Sequence, residues 1–177
     1  SIVLKPDSEL ALYCEGMCSA AKLFKNTVIF RCRQLLTANH KNYSDLQIHE
    51  QEVLKEFKLT EERFKPISFK YYLPGYLHFD YLFKVTKNPD YYNILPMQSN
   101  QQIIKEVLAD FKGYFKAVKS YKKNPTSFTG KPKLPAYYKA DKISFDITNQ
   151  DCVVKTGKDG TSYLKLPKTK RTLNLGK

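Results

Sequence analysis

Of the chain's 30 Lys and Arg residues, 16 fall between residues 112 and 177, with only four acids among them: Asp141, Asp146, Asp151 and Asp159. That stretch carries a net +12 of the chain's +13, while residues 1–111, with 14 bases and 13 acids, are nearly neutral. Lys112, Lys116, Lys119, Lys122 and Lys123 recur at short steps. Lys131, Lys133 and Lys139 follow among prolines, and Lys168, Lys170 and Arg171 come close to the end. A one-sided basic field of this kind recruits polyanions and steers them to one surface. Lysine holds phosphate as a mobile point charge, whereas bidentate reading of guanine favours arginine, and Arg171 is the only arginine here. Such a surface grips a nucleic-acid backbone; any reading of bases falls to Gln, Asn, Thr and Tyr. Two other readings stay open. One is a lysine-rich face that only solubilises, and the other is contact with membrane headgroups.

No catalytic constellation accompanies this charge. The sequence contains no P-loop, no G-x-G-x-x-G and no G-x-S-x-G. A metal-dependent nuclease needs several carboxylates converging on one or two ions. The four acids of the basic third lie near turns or on a solvent face, and the acids before them lie on ordinary amphipathic helices. Cys14, Cys18, Cys32 and Cys152 include no C-x-x-C pair. His40, His49 and His78 show no ligand spacing to them, so the cysteines read as small buried apolar residues in a reducing compartment.

The elements that must carry the charged residues are legible from periodicity. Leu10, Tyr13, Cys14, Met17, Ala21, Phe24, Val28 and Leu35 predict a long helix over 8–37, capped by Asp7 or Ser8 after Pro6. Asn39 to Asn42 make a loop. A second helix is predicted over 46–57, with Ser44 and Gln47 in capping-box positions. Thr60 opens a further turn that Pro66 stops. Residues 66–94 are rich in aromatics, Phe69, Tyr71, Tyr72, Tyr76, Phe79, Tyr81, Phe83, Tyr91 and Tyr92 among them. They carry little net charge and read as packing more than as stacking platforms, with a short helix over 77–85. Ile103, Ile104, Val107, Leu108, Phe111, Phe115 and Val118 then mark the clearest helix, 97–121. Its closing lysines suit the helix's negative end as well as phosphate.

From Asn124 the pattern changes. Pro125, Gly130, Pro132 and Pro135 break any helix. Ile143, Phe145 and Ile147 alternate with polar residues and predict a strand. Two more strands, 152–155 and 163–166, flank a Gly157–Gly160 turn as a hairpin, and a last strand covers 172–175. The expected class is α+β: a helical bundle over 1–123, followed over 124–177 by a basic loop and a small antiparallel β-sheet or barrel. No apolar run is long enough to span a bilayer. The opening Ser-Ile-Val-Leu-Lys-Pro lacks both a Met and the features of a signal peptide, and reads as the start of an excised or processed piece.

Several segments in order resemble one family. Leu95-Pro96-Met97-Gln98-Ser99-Asn100-Gln101-Gln102, with Asp110-Phe111-Lys112-Gly113-Tyr114-Phe115-Lys116, resembles the "LPxQ…QQ…AFKxFF" helix of TnpB proteins. These are the OrfB-type, transposon-encoded relatives of type V CRISPR effectors, of transposase class. Gly130-Lys131-Pro132-Lys133 is similar to their "GxPxFK" loop, although Leu134-Pro135 stands where Phe-Lys is usual. Ser144-Phe145-Asp146-Ile147-Thr148-Asn149-Gln150 is similar to "SFxxTNQ". Tyr163-Leu164-Lys165-Leu166-Pro167-Lys168 is similar to "xLKLPKLG", with Thr169-Lys170 in place of Leu-Gly. Pro6 and Lys22-Leu23-Phe24-Lys25-Asn26 resemble the "P…ARxLYN" opening.

The resemblance implies a wedge-like β-barrel with a helical recognition lobe inserted, binding a guide (omega) RNA and a short motif in double-stranded DNA beside the target. It implies that Gln98, Gln101, Thr148 and Asn149 read that motif, with Tyr43 and Gln47 as a weaker match. It also implies no catalytic residue and no cofactor here. The RuvC-like nuclease of the family, with its divalent metal and zinc, would begin past Lys177. The setting it implies is the bacterial or archaeal cytoplasm, at the nucleoid, with no membrane partner. A stand-alone DNA- or RNA-binding module and a structural protein with a solubilising basic face are the alternatives. Oligomeric state stays open.

Overall fold

The computed structural model describes residues 2, 4–5, 8–59, 61, 75–86 and 93–176. The protein is α+β, a helical bundle followed by a small antiparallel sheet. The helices among the described residues are α1 (Glu9–Ala38), α2 (Ile48–Glu56), α3 (Gly75–Val85) and α4 (Met97–Lys123). The strands are β1 (Val153–Thr156), β2 (Ser162–Lys165) and β3 (Thr172–Gly176), in the order β1-β2-β3. The sheet is open, so of sheet and barrel it is the sheet that forms among these residues. Short 3₁₀ turns occupy Tyr43–Asp45 and Pro125–Ser127.

Packing groups the chain into two compact units that interleave along the sequence. The first comprises residues 1–24, 88–103 and 139–177; the second comprises 25–87 and 104–138. Both α1 and α4 contribute residues to each unit.

In the first unit Ser8 caps α1: its Oγ accepts from Ala11 N at 3.1 Å, which resolves the choice between Asp7 and Ser8. Asp7 itself lies outside the described residues. Met17, Ala20, Ala21 and Phe24 bury one stripe of α1, and Leu95 and Ile103 are buried from the other segment. The predicted strand over 143–147 does not form. Side-chain burial does alternate there, half-buried at Ile143, Phe145 and Ile147 and exposed between them. Yet Ile143 N donates to Cys18 O of α1 at 3.3 Å, and Asp146 O accepts from Ser99 Oγ of α4 at 2.7 Å. The segment is extended, but its hydrogen bonds go to helices instead of a neighbouring strand. The hairpin forms as expected. Val153 pairs with Lys165 and Thr156 with Ser162, and Gly157 N donates to Thr161 O at 2.8 Å across the loop. Gly160 sits at φ +81°, a conformation that suits glycine. Asp159 closes the loop by accepting from Thr161 N at 3.1 Å and Thr161 Oγ1 at 2.7 Å, and these bonds hold its carboxyl below the usual range.

In the second unit Val28, Ile29, Cys32 and Leu35 of α1 are buried, as are Val53 and Leu54 of α2, Leu82 of α3, and Ile104, Val107 and Phe111 of α4. The capping box of α2 stands three residues later than predicted. Gln47 is the N-cap and Glu50 the reciprocal partner, with Glu50 Oε2 accepting from Gln47 N at 2.8 Å. The helix closes through a left-handed Lys58 (φ 56°), with Leu59 N donating to Leu54 O and Lys58 N to Lys55 O, both at 2.9 Å. In α3 the rings of Phe79 and Phe83 stack at 6.1 Å along the one helix, Tyr81 lies 5.8 Å from Phe57 at the end of α2, and Lys105 of α4 lies 5.8 Å from the Phe79 ring. The turn expected at Thr60–Pro66, and Phe69, Tyr71, Tyr72, Tyr91, Tyr92 and the side chain of Tyr76, lie outside the described residues.

Candidate nucleic-acid interface

The candidate residues divide between the two units, and each set has its own geometry. In the first unit Gln98 and Gln101 stand on the first turns of α4, both half-buried. Ser99 between them is fully buried, and its bond to Asp146 O ties this end of α4 to the segment that carries Thr148 and Asn149. Thr148 opens a turn. Its carbonyl accepts from Asp151 N at 3.0 Å and Cys152 N at 3.2 Å, and its Oγ1 lies 3.4 Å from Asp151 Oδ2. Asn149, the next residue, is exposed. The fold thus brings the two amide-bearing segments into one unit, joined by a hydrogen bond.

Four basic candidates of this unit differ in their partners. Lys168 adopts φ 54° and turns its Nζ onto Asn93 O; partial burial there holds its pKa below the usual lysine value, against the pull of Asp151. Arg171 pairs with Glu9 at 3.2 Å. Lys139 and Lys170 are exposed and form no ion pair among the described residues.

In the second unit Lys116, Lys119, Lys122 and Lys123 are all exposed on the last turns of α4, and Lys131 and Lys133 on the loop beyond it. Among the described residues Lys116, Lys119, Lys123, Lys131 and Lys133 form no ion pair. Three cations nearer the start of the chain behave in the opposite way. Lys25 meets Glu106 at 2.9 Å, Arg31 meets Glu56 at 2.7 Å, and Lys41 meets Glu50 at 2.8 Å. Burial pulls the Lys25 ammonium down, but bonds to Glu106 and Tyr138 outweigh it and its pKa stands above normal. Glu50 is buried, which raises its carboxyl. Bonds from Lys41, Gln47 N and Thr37 overcome that and hold it below the ordinary 4.5. Of the weaker candidates, Gln47 works as the cap of α2, and Tyr43 is half-buried in its 3₁₀ turn.

The same unit contains a feature that the sequence reading passed over. A groove of about 560 Å³ lies between α4 and the loop after it, lined by Asp110, Gly113, Tyr114, Lys133, Tyr137 and Tyr138 among others. Tyr137 and Tyr138 are 41% and 37% exposed, unusual for adjacent large rings. They are nevertheless fixed. Asn26 Nδ2 donates to Tyr138 O at 3.0 Å while Asn26 Oδ1 accepts from Tyr138 N at 2.8 Å. Arg33 Nη1 donates to Pro135 O at 2.8 Å and its guanidinium lies 5.3 Å from the Tyr137 ring; Lys25 Nζ lies 4.7 Å from the Tyr138 ring. The signal in the sequence was a Tyr-Tyr pair shortly after a proline, in Pro135-Ala136-Tyr137-Tyr138, within a lysine-rich loop.

No group of three or more His, Cys, Asp or Glu is placed to hold a metal ion among the described residues. The buried Cys32 thiol is pushed up to about 12 by desolvation, and Cys14 and Cys18 are raised for the same reason, so none is poised as a thiolate ligand. No described helix is long and apolar enough to cross a membrane. Comparison with known proteins gives no family model, no curated protein and no solved structure that matches the chain.

Proposed function

We propose that this chain is the nucleic-acid-holding, N-terminal part of a TnpB-like, transposon-associated RNA-guided DNA endonuclease. In this reading it grips guide RNA and the duplex DNA beside the target, and cleavage chemistry is supplied by residues outside it. The observation that carries the proposal is the contrast among the lysines. Lys25 and Lys41 are neutralised by Glu106 and Glu50, whereas Lys116, Lys119 and Lys123 at the end of α4 and Lys131 and Lys133 on its loop are exposed and form no ion pair among the described residues. Holding a cluster of like charges together raises self-repulsion, and a polyanion relieves it. Each phosphate neutralised also releases counterions, so the grip strengthens as salt falls. Gln98, Gln101, Thr148 and Asn149 supply amides and a hydroxyl, groups able to discriminate base edges.

The test is fluorescence anisotropy of the chain with labelled duplex DNA and structured RNA across a salt series. Steep weakening with salt supports the proposal. A binding constant flat in salt, or no binding at low salt, overturns it in favour of a solubilising face. Incubation with magnesium or manganese should leave supercoiled DNA intact. Cleavage by the pure chain, abolished by chelator, would overturn the assignment of chemistry elsewhere.

A further inference from the structure

The groove beside Tyr137 and Tyr138 has the parts of a base-binding site. Its volume of about 560 Å³ falls within the roughly 300–1,000 Å³ range of small-molecule sites. Two exposed tyrosines line it, each backed by a cation and anchored through its backbone or its neighbour's. An anchored ring loses little further freedom on stacking, so it suits a planar, π-faced ligand. Lys133 lines the groove, forms no ion pair among the described residues and is suited to a phosphate.

Asp110 discriminates among planar ligands. The residue is exposed, lines the groove and forms no ion pair among the described residues. A carboxylate repels phosphate, so in an otherwise basic neighbourhood it argues against a pure backbone grip at this spot. An ionised carboxylate only accepts, and it can take two parallel N–H donors at once. Among the bases, guanine offers adjacent N1–H and N2–H donors on its pairing edge. That edge is free only when the base is unpaired, and both its faces are free only when it leaves the stack.

We infer that this groove binds one unpaired guanine nucleotide of a single-stranded stretch, stacked against Tyr137 and Tyr138, with its pairing edge on Asp110 and a phosphate on Lys133. The inference rests on the proposed function for the kind of partner, but has its own test. Gly113 makes that test clean. A Cβ added there meets nothing within 4 Å, and its position on the groove wall places any larger side chain in the ligand's space. Replacing a helical glycine also favours the helix, so Gly113→Leu fills the groove without endangering the fold.

The experiment compares a labelled oligo-dT strand with the same strand carrying one central dG. The native chain should bind the dG strand about tenfold more tightly, as expected for a charge-assisted hydrogen-bond pair that thymine, with a single pairing-edge donor, cannot match. Gly113→Leu and Asp110→Asn should each bring the dG strand to the affinity of oligo-dT. Equal binding of both strands by the native chain overturns the inference and leaves the interface standing. So does a preference that persists in Gly113→Leu with native helical circular dichroism. Guanosine monophosphate separates the remaining case. If it binds and Gly113→Leu excludes it while no strand binds, the groove stands and the broader interface fails; if neither it nor any strand binds, both fail.

Discussion

Helix α4 carries two chemistries along its length. From Met97 to Ile103, in the first unit, it presents Gln98, Gln101 and Gln102 with the buried Ser99 and Asn100, and no lysine. From Ile104 to Lys123, in the second unit, it presents Lys105, Lys112, Lys116, Lys119, Lys122 and Lys123 against Glu106 and Asp110. The amide half is fastened by a hydrogen bond of defined direction, Ser99 to Asp146. The later lysines, Lys116, Lys119 and Lys123, are exposed point charges on flexible stems. A fixed amide prefers one arrangement of donors and acceptors over another, whereas a mobile ammonium accepts any phosphate at similar distance. The two halves therefore suit reading and holding, and the difference can be attacked from either side.

The largest effect should come from the holding half. Replacing Lys116, Lys119, Lys122 and Lys123 together by Ala should reduce the slope of log affinity against log salt by about 3 to 4 on duplex DNA. The loss should be the same for all sequences. A loss confined to particular sequences would move these lysines to the reading side and erase the comparison.

The reading half should respond selectively. Gln101→Ala or Asn149→Ala should cost about 1–3 kcal/mol at one or two positions of a randomised duplex library selected on the chain. An unchanged sequence profile in both variants would leave the amides as structural groups.

A control of similar size lies away from both halves. Glu50→Gln removes the charged partner of Lys41 and one arm of the capping box, and should cost about 1–2 kcal/mol of stability. Its folded pKa is depressed, so its contribution is complete above the ordinary 4.5 and is lost as pH falls below it. Native chain should therefore lose more stability than Glu50→Gln on acidification below that value. Parallel pH profiles of the melting temperature would refute the assignment.

The smallest effect tests the fastening itself. Ser99→Ala should cost about 1 kcal/mol and leave the salt dependence of binding as it was. If it instead altered the salt slope, the two halves of α4 would be one surface.

Much of the helical part was legible because periodicity reports burial. The stripes through Met17, Phe24 and Val28 and through Ile104, Val107 and Phe111 predicted helices whose ends fall within two residues of those formed. The hairpin was legible because Gly157 and Gly160 punctuate it. The segment over 143–147 was misread for a physical reason. Alternation tells which side chains face an apolar surface, but says nothing about which backbone supplies the hydrogen bonds. Helices α1 and α4 supply them here, where a strand was expected. The capping box forms three residues later than expected because Ser44 and Gln47 fit the motif as well on paper as Gln47 and Glu50 do. The bond from Gln47 N to Glu50 Oε2, with Lys41 beside the same carboxylate, both at 2.8 Å, shows which pairing the fold adopts.

By itself the sequence determined the segregation of charge and the helical bundle that precedes the small sheet, since both follow from residue type and local spacing. Tertiary structure decided which cations are neutralised, because Lys25 meets Glu106 and Arg31 meets Glu56 across long stretches of chain. It also decided the groove, whose tyrosines are anchored by Asn26 and Arg33 from far along the sequence and face Asp110 and Gly113 of another helix. Local spacing sets the face a residue presents; what that face meets is set by the long-range packing that closes the chain on itself.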